Sequence, residues 1–108
     1  MRGWDYGDKS KVGQRLELLD IHQTAKVERL VSHLRAKNAV AGDVTVWRSG
    51  FDNGTVGLSW TSPAGTKHLV WMDRNVAITR VLVAPPVGEG PDNPYMEEPA
   101  LLEELRTV

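Results

Sequence analysis

The stretch from Asp43 to Val83 constrains the fold most, because segments with strand-like composition alternate there with short turn sequences. Asn53-Gly54 is typical of a two-residue type I′ hairpin, in which both central residues need a positive φ. Ser62-Pro63-Ala64-Gly65 predicts a second turn, because proline fixes φ at the second position and glycine relaxes the fourth. The sequence therefore predicts an antiparallel β-meander over this stretch.

These turns also predict how the strands pair. The first turn pairs Trp47 with Trp60, and the second pairs Leu58 with Leu69. One sheet face then carries the apolar residues Trp47, Phe51, Val56, Leu58, Trp60, Leu69 and Trp71. The other face is largely polar, with Arg48, Ser59, Thr61, Thr66 and His68. A one-residue slip at the second turn, as a G1 bulge causes, is the alternative and brings His68, Val70 and Met72 to the first face.

The segment Val76–Val83 favours a fourth strand. It is rich in β-branched residues, which prefer a pleated surface, and Pro85-Pro86 follow it. A helix is the alternative, because Asp73 is a suitable N-cap residue.

Upstream, the pattern predicts one long helix from about Gln14 to Lys37, with Asn38 and Gly42 as stop signals. The helix presents an apolar stripe that includes Val27, Leu30, Val31 and Leu34. A break at Asp20 is the competing interpretation, because Gln23 follows three residues later as in a capping box.

Composition predicts one domain flanked by two distinct ends. We expect a flexible arm at 1–12, a single α+β domain at 13–84, a Pro/Gly-rich acidic linker at 85–97 and a short C-terminal helix at 98–108. Residues 85–108 contain six acidic residues and one basic residue, whereas residues 1–84 contain eight acidic and twelve basic residues. The predicted fold is thus a long N-terminal helix packed on a four-stranded antiparallel meander, followed by an acidic linker and a short helix.

The C-terminal helix is expected to dock on another surface. Proline at the start of a helix is favourable, which suits Pro99. A helix this short is marginal alone in water, and it carries an apolar edge. The residues of that edge include Leu101, Leu102 and Leu105. We expect it to cover the apolar patch Leu18, Ile21 and Ala25 of the long helix, with a partner protein as the alternative site.

The sequence offers no positive sign of catalysis. It has no cysteine, so disulfides and Cys-based zinc sites are excluded. The expected register places His68 opposite Ser59, but a nucleophile and base also need a group that orients the histidine, so a simple cross-strand hydrogen bond is preferred. We therefore expect a non-enzyme without metal or cofactor. The N-terminus lacks the apolar run of a signal peptide, which predicts a cytoplasmic protein without a membrane anchor.

The leading hypothesis is a small protein-binding module of the adaptor, inhibitor, chaperone-like or immunity type. Its partner is expected to be another protein or a second copy of the chain. Tryptophan is enriched in binding hot spots, and surplus apolar faces need cover. The candidate contact residues are Trp47, Trp60 and Trp71 on the sheet, Leu18, Ile21 and Ala25 on the long helix, and Leu101, Leu102 and Leu105 on the short helix. The alternative is a nucleic-acid-binding domain with α-β-β-β-α order, which requires residues 74–84 to be helical and is not favoured because the basic residues are few and scattered.

Overall fold

The computed structural model describes residues 4–6, 16–17, 19–49, 54–85 and 95–108. Over these residues the chain forms two helices and one mixed β-sheet, which is an α+β fold. In chain order the elements are β1 (Trp4–Tyr6), β2 (Leu16–Glu17), α1 (Ile21–Ala36), β3 (Ala41–Ser49), β4 (Val56–Thr61), β5 (Lys67–Met72), β6 (Ile78–Ala84), β7 (Met96–Glu97) and α2 (Pro99–Arg106).

The predicted antiparallel meander is the centre of a larger sheet. Strands β3 to β6 pair in sequence order, each antiparallel to the next. Strand β1 adds in parallel to β3, and the two-residue strand β2 pairs with the far end of β3. Strand β7 pairs antiparallel with β6. The four-stranded prediction is therefore incomplete. It missed strands of two or three residues, which are too short to show a period.

Helix α1 begins after Asp20 rather than near Gln14. The Asp20 side chain accepts from the Gln23 main-chain N at 2.8 Å, and the Gln23 side chain accepts from the Asp20 main-chain N at 3.1 Å. This capping box satisfies two N–H groups that a helix start leaves without partners. The single long helix was therefore wrong, and the break at Asp20 is confirmed. Residues Leu16–Glu17 are a strand instead.

The second predicted turn is confirmed in its bulged form. The Gly65 main-chain N donates to the Ser62 carbonyl at 2.9 Å, and the Ser62 N donates to the Thr66 carbonyl at 2.8 Å. Gly65 has a φ of 91°, which glycine adopts without steric cost. This is a turn followed by a G1 bulge.

The bulge shifts the register of β4 and β5 by one residue. Leu58 pairs with Val70, so the expected pairing with Leu69 was wrong and the slipped alternative is confirmed. The side chains of His68, Val70 and Met72 consequently share a face with Leu58, while Leu69 and Trp71 point to the other side.

The turn between β5 and β6 has the same hydrogen bonds with a different residue at the critical position. The Val76 main-chain N donates to the Asp73 carbonyl at 3.0 Å, and the Asp73 N donates to the Ala77 carbonyl at 2.9 Å. Val76 takes the place that glycine takes in the previous turn, with a φ of 63°. A β-branched residue is strained there. Because β6 follows, the helical alternative for 74–84 was wrong.

The register of β3 and β4 differs most from the prediction. Trp47 pairs with Gly57 instead of Trp60, a displacement of three residues. Residues 50–53 lie outside the described residues, so the predicted turn at Asn53-Gly54 is described only for Gly54, which has a φ of 80°. Since three is odd, the shift moves Trp47 to the opposite face from Trp60. The expected single tryptophan face was therefore wrong.

Both helices pack on the same side of the sheet, which we call the inner face. Trp60 is only 4% exposed there. Trp4, from the predicted N-terminal arm, is 2% exposed and joins the same core through β1. The other buried apolar residues of this core are Val27, Leu30, Val31, Leu34, Val40, Val44, Val46, Val56, Leu58, Val70, Met72, Ile78, Val81 and Leu105.

Helix α2 docks on its own domain, but not on the expected patch. Leu105 enters the core with an exposure of 1%. A carboxylate oxygen of Glu104 accepts from Lys37 Nζ at 2.6 Å and pairs with His33 Nε2 at 2.7 Å. Hydrogen bonds from Lys37 and His33 lower the pKa of Glu104. Lys26, almost fully buried on α1, donates to the Val108 carbonyl at 2.8 Å, and this burial lowers the Lys26 pKa.

The expected docking patch on α1 is not covered by α2. Ile21 is 79% exposed and Ala25 is also exposed. Leu18 lies outside the described residues. Both helices therefore use other sides of their surfaces to reach the core, and Ile21 stays exposed.

Candidate protein-binding site

The side of the sheet opposite both helices is the candidate site, and we call it the outer face. No described helix packs on it. The strand registers place eight residues on it, namely Thr45, Trp47, Gly57, Ser59, Leu69, Trp71, Arg80 and Leu82.

One end of the outer face is aromatic. Trp47, Gly57 and Trp71 lie side by side on β3, β4 and β5. The two indole rings meet edge to face, with centroids 5.4 Å apart and planes at 88°. Both tryptophans are half-buried. Edge-to-face geometry is a favourable arrangement for aromatic pairs.

Gly57 makes this arrangement sterically possible. A Cβ at residue 57 would lie 2.3 Å from Cζ2 and 2.4 Å from Cε2 of Trp47. The indole ring therefore lies directly over the backbone of β4, in space that any other residue type would fill. A glycine inside a strand often marks such a close approach.

The centre of the outer face is apolar on β5 and β6 and polar on β3 and β4. Leu69 pairs with Leu82 across β5 and β6, and both side chains are half-buried. Ser59 pairs with Leu69 on one side and with Thr45 on the other. The tryptophans and leucines thus form one apolar area beside a row of hydroxyl groups.

The other end of the outer face holds a shallow polar depression of about 210 Å³. It lies where the β3–β4 pairing is interrupted by an irregularity between Ala41 and Thr45. Its lining brings hydroxyl, carboxyl, ammonium and phenol groups together, from Asp43, Thr45, Ser59, Thr61, Lys67 and Tyr95. This depression can hydrogen-bond a polar group of a partner that covers the apolar area.

The charges around the outer face nearly balance. Arg80 and Lys67 are basic, whereas Asp5, Asp43 and Glu97 are acidic. Asp43 lies 3.4 Å from Arg35. Arg80 lies 3.5 Å from Glu97, and both of these side chains are more than half exposed. Such a pair contributes little to stability. The described part of the face therefore has no large excess of charge of either sign.

Trp60 and His68 also line the polar depression, although the strand register places both rings on the inner face. They stack on the inner face, with ring centroids 5.1 Å apart and planes at 11°. Burial lowers the His68 pKa, so its imidazole is neutral at neutral pH. Ser59 pairs with Leu69 and faces outward. The expected His68–Ser59 pairing was wrong, because the one-residue shift puts the two side chains on opposite faces.

The other sequence-predicted contact residues are dispersed. Leu101 and Leu102 are half-buried beside the core on α2, and Leu105 is inside it. A second groove, of about 330 Å³, lies where α2 meets β6 and is lined in part by Val81, Pro99 and Leu102. Of the predicted residues on the sheet, Trp47 and Trp71 come together on the outer face, and Ile21 and Ala25 lie one turn apart on the exposed side of α1.

Sequence reasoning missed three contributors to the outer face, namely Gly57, Leu82 and Arg80. The isolated glycine inside a strand pattern was the available signal for a close approach to residue 57. Leu82 and Arg80 were assigned to the fourth strand without a face, because no register for β5 and β6 was derived.

No protein-family model, curated protein or solved structure gives a significant match to this chain. Neither of the two described helices is long and apolar enough to cross a membrane. Among the described residues, no three His, Cys, Asp or Glu side chains are grouped so that they could hold a metal ion.

Proposed function

We propose that the protein is a small non-catalytic protein-binding module that acts through the outer face. The observation that carries this proposal is the pair Trp47 and Trp71, packed edge to face over Gly57 on the side of the sheet that no described helix covers. Tryptophan anchors many binding hot spots because it buries a large area with few rotatable bonds.

The neighbouring residues support the same function. Leu69 and Leu82 extend the apolar area beyond the indoles. The hydroxyls of Thr45, Ser59 and Thr61 border it. An apolar centre with a polar border is the usual composition of a protein interface. The four apolar side chains of this area are half-buried rather than buried, and contiguous apolar surface that water still reaches commonly marks interaction sites.

The alternative function, nucleic-acid binding by a domain with α-β-β-β-α order, is not supported by the order of the elements. It needed a helix in place of β6, and Ile78–Ala84 is a strand. Among the described residues, the outer face also lacks the concentration of basic groups that binds phosphates, because Arg80 lies 3.5 Å from Glu97 and Lys67 shares the polar depression with Asp43.

The test compares two apolar-to-lysine substitutions on different surfaces. Leu69→Lys places a charge at the centre of the outer face, and Ile21→Lys places one on the exposed side of α1. Tagged wild-type protein and both variants are used to enrich partners from host cells, with quantification by mass spectrometry. We expect proteins enriched by the wild type and by Ile21→Lys to be lost with Leu69→Lys.

Two results would contradict the proposal. In one, a partner is retained by Leu69→Lys and lost with Ile21→Lys, which moves the binding site to α1. In the other, the wild type enriches no protein, including an untagged copy of itself, above the level of a tag-only control.

A further inference from the structure

We propose that the polar depression at the end of the outer face is a binding site for a neutral saccharide. This inference goes beyond the proposed function, because it assigns a small ligand to a part of the face that the tryptophans and leucines do not occupy. Three observations carry it: a bulge that opens the site, polar side chains that no described residue engages, and an exposed aromatic ring beside them.

A bulge in β3 opens the depression. Ala41 pairs with Thr61. Thr45 pairs with Ser59, which leaves three residues of β3 opposite a single residue of β4. Gly42 lies in this bulge with a φ of 78°, which glycine adopts without steric cost. Extra residues bend a strand, and the depression of about 210 Å³ lies at this bend. At about 30 Å³ for each water molecule, it holds roughly seven waters or one small polar molecule.

Five polar side chains that line the depression form no hydrogen bond or ion pair with any residue that the structure describes. They are Thr45, Ser59, Thr61, Lys67 and Tyr95. Ser59 is half-buried, and the other four are exposed. Each hydroxyl group both donates and accepts, whereas the lysine ammonium only donates. The depression therefore presents several unused donors and acceptors to one ligand.

Asp43 adds an acceptor on the opposite side of the depression from Lys67. One Asp43 oxygen lies 3.4 Å from Arg35 Nη2, and the other is bonded to no described residue. Asp43 belongs to β3 and Lys67 to β5, which are two strand spacings or about 10 Å apart. A sugar ring carries hydroxyl groups on opposite edges, whereas an amino acid carries its ammonium and carboxylate on the same carbon atom. The spacing and the opposite charges therefore favour a neutral saccharide over a small zwitterion.

Tyr95 supplies an apolar contact for the same ligand. It lines the depression and is 44% exposed. One side of a sugar ring consists of C–H groups, and the face of an aromatic ring is electrostatically negative and attracts them. Polar groups for the hydroxyls and an aromatic ring for the C–H groups are the two contacts that a sugar needs. Because the depression is shallow and open, the dissociation constant is expected to be about 1–10 mM.

The decisive experiment is a titration of the isotope-labelled full chain, followed by the amide chemical shifts in heteronuclear NMR. The probes are the methyl glycosides of glucose, galactose, mannose and N-acetylglucosamine, each added to about 50 mM, which is above the expected dissociation constant. Glycerol, glycine and sodium acetate are the comparison compounds. We expect at least one glycoside to shift the amide signals of Thr45, Ser59 and Thr61 saturably, and the comparison compounds to leave them unchanged.

Three substitutions of exposed residues test the side chains. Asp43→Ala and Tyr95→Ala should each raise the dissociation constant of that glycoside about fivefold or more, because each removes a contact to the ligand. Glu28→Ala removes an exposed carboxylate from α1 and should leave the dissociation constant unchanged. The amide spectrum of each variant establishes that it is folded.

Several results would overturn the inference. They are the absence of a shift with every glycoside, equal shifts with glycerol, and binding of glycine or acetate alone, which assigns the site to a charged ligand. Shifts centred on the indole N–H signals of Trp47 and Trp71 would place the saccharide elsewhere on the outer face. Unchanged affinity in both Asp43→Ala and Tyr95→Ala would also contradict it. Because the titration contains no protein partner, its failure leaves the proposed function standing.

Discussion

Replacing Gly57 by alanine tests the geometry of the outer face most sharply. The added Cβ would lie 2.3 Å from Cζ2 of Trp47 and 2.8 Å from its Nε1. Non-bonded carbon atoms need about 3.5–4.0 Å. The indole must therefore move by more than about 1 Å, and it loses its edge-to-face contact with Trp71.

The expected loss of stability combines two terms. Overpacking a well-fitted site costs about 1–3 kcal/mol. The contact with Trp71 contributes about 0.5–1.5 kcal/mol beyond its buried area. Against these, alanine is favoured over glycine within a strand by about 0.5–1 kcal/mol. We expect Gly57→Ala to destabilise the protein by about 1–3 kcal/mol, measured by urea denaturation, and to change the near-ultraviolet circular dichroism of the coupled indoles.

A double-mutant cycle identifies the cause. In a Trp47→Ala background the clash is absent, so Gly57→Ala should become neutral or slightly stabilising. Ser59→Ala, two residues along β4 on the same face, is the matched control and should change stability by less than about 0.5 kcal/mol. An unchanged midpoint and an unchanged near-ultraviolet spectrum for Gly57→Ala would refute the placement of Trp47 over residue 57.

Three further predictions concern the inner face, the turns and the docking of α2. Trp60→Ala should cost about 3–5 kcal/mol in chemical denaturation, as large core truncations do, and a near-wild-type midpoint would refute its burial. Val76 and Gly65 occupy equivalent left-handed positions in their turns. Val76→Asn should therefore raise the free energy of unfolding by about 0.5–1 kcal/mol, whereas Gly65→Val should lower it by about 1–2 kcal/mol. Equal effects of the two changes would contradict that equivalence. Glu104→Gln should cost about 1 kcal/mol at neutral pH. The Glu104 pKa is lowered in the folded state, so this difference should shrink as pH falls below about 4.3. A Glu104→Gln deficit that stays constant with pH would argue against the pairing.

Local signals in the sequence predicted local structure well. Three predicted motifs are present in the structure: the capping box at Asp20, the turn at Ser62-Pro63-Ala64-Gly65 and the proline that starts α2. Each involves only residues that are close in sequence. Their hydrogen bonds and φ preferences do not depend on distant parts of the chain. The β-branched run before Pro85 also predicted β6 correctly, because strand preference there agrees with burial in the sheet.

Register could not be derived with the same accuracy, because side chains alternate between faces at every residue. A shift of three residues at the first hairpin moved Trp47 away from Trp60, and a shift of one residue at the second moved Trp71 away as well. Both shifts are odd, so the two displaced tryptophans met again on the outer face. The outer-face pair of Trp47 and Trp71 could therefore not be predicted from the turn sequences alone, because it depends on the register of both hairpins.

The short strands depend on tertiary contacts. Trp4 enters the core because β1 lies along β3, and β7 exists because β6 presents a free edge before the chain turns into α2. Segments of two or three residues carry no hydrophobic period, so only the completed sheet determines that they are strands.

Oxidative footprinting of the four tryptophans by mass spectrometry tests the central claim most directly. At low protein concentration, the outer-face residues Trp47 and Trp71 should be oxidised much faster than the buried residues Trp4 and Trp60. The account would be contradicted if Trp47 and Trp71 were oxidised no faster than Trp4 and Trp60.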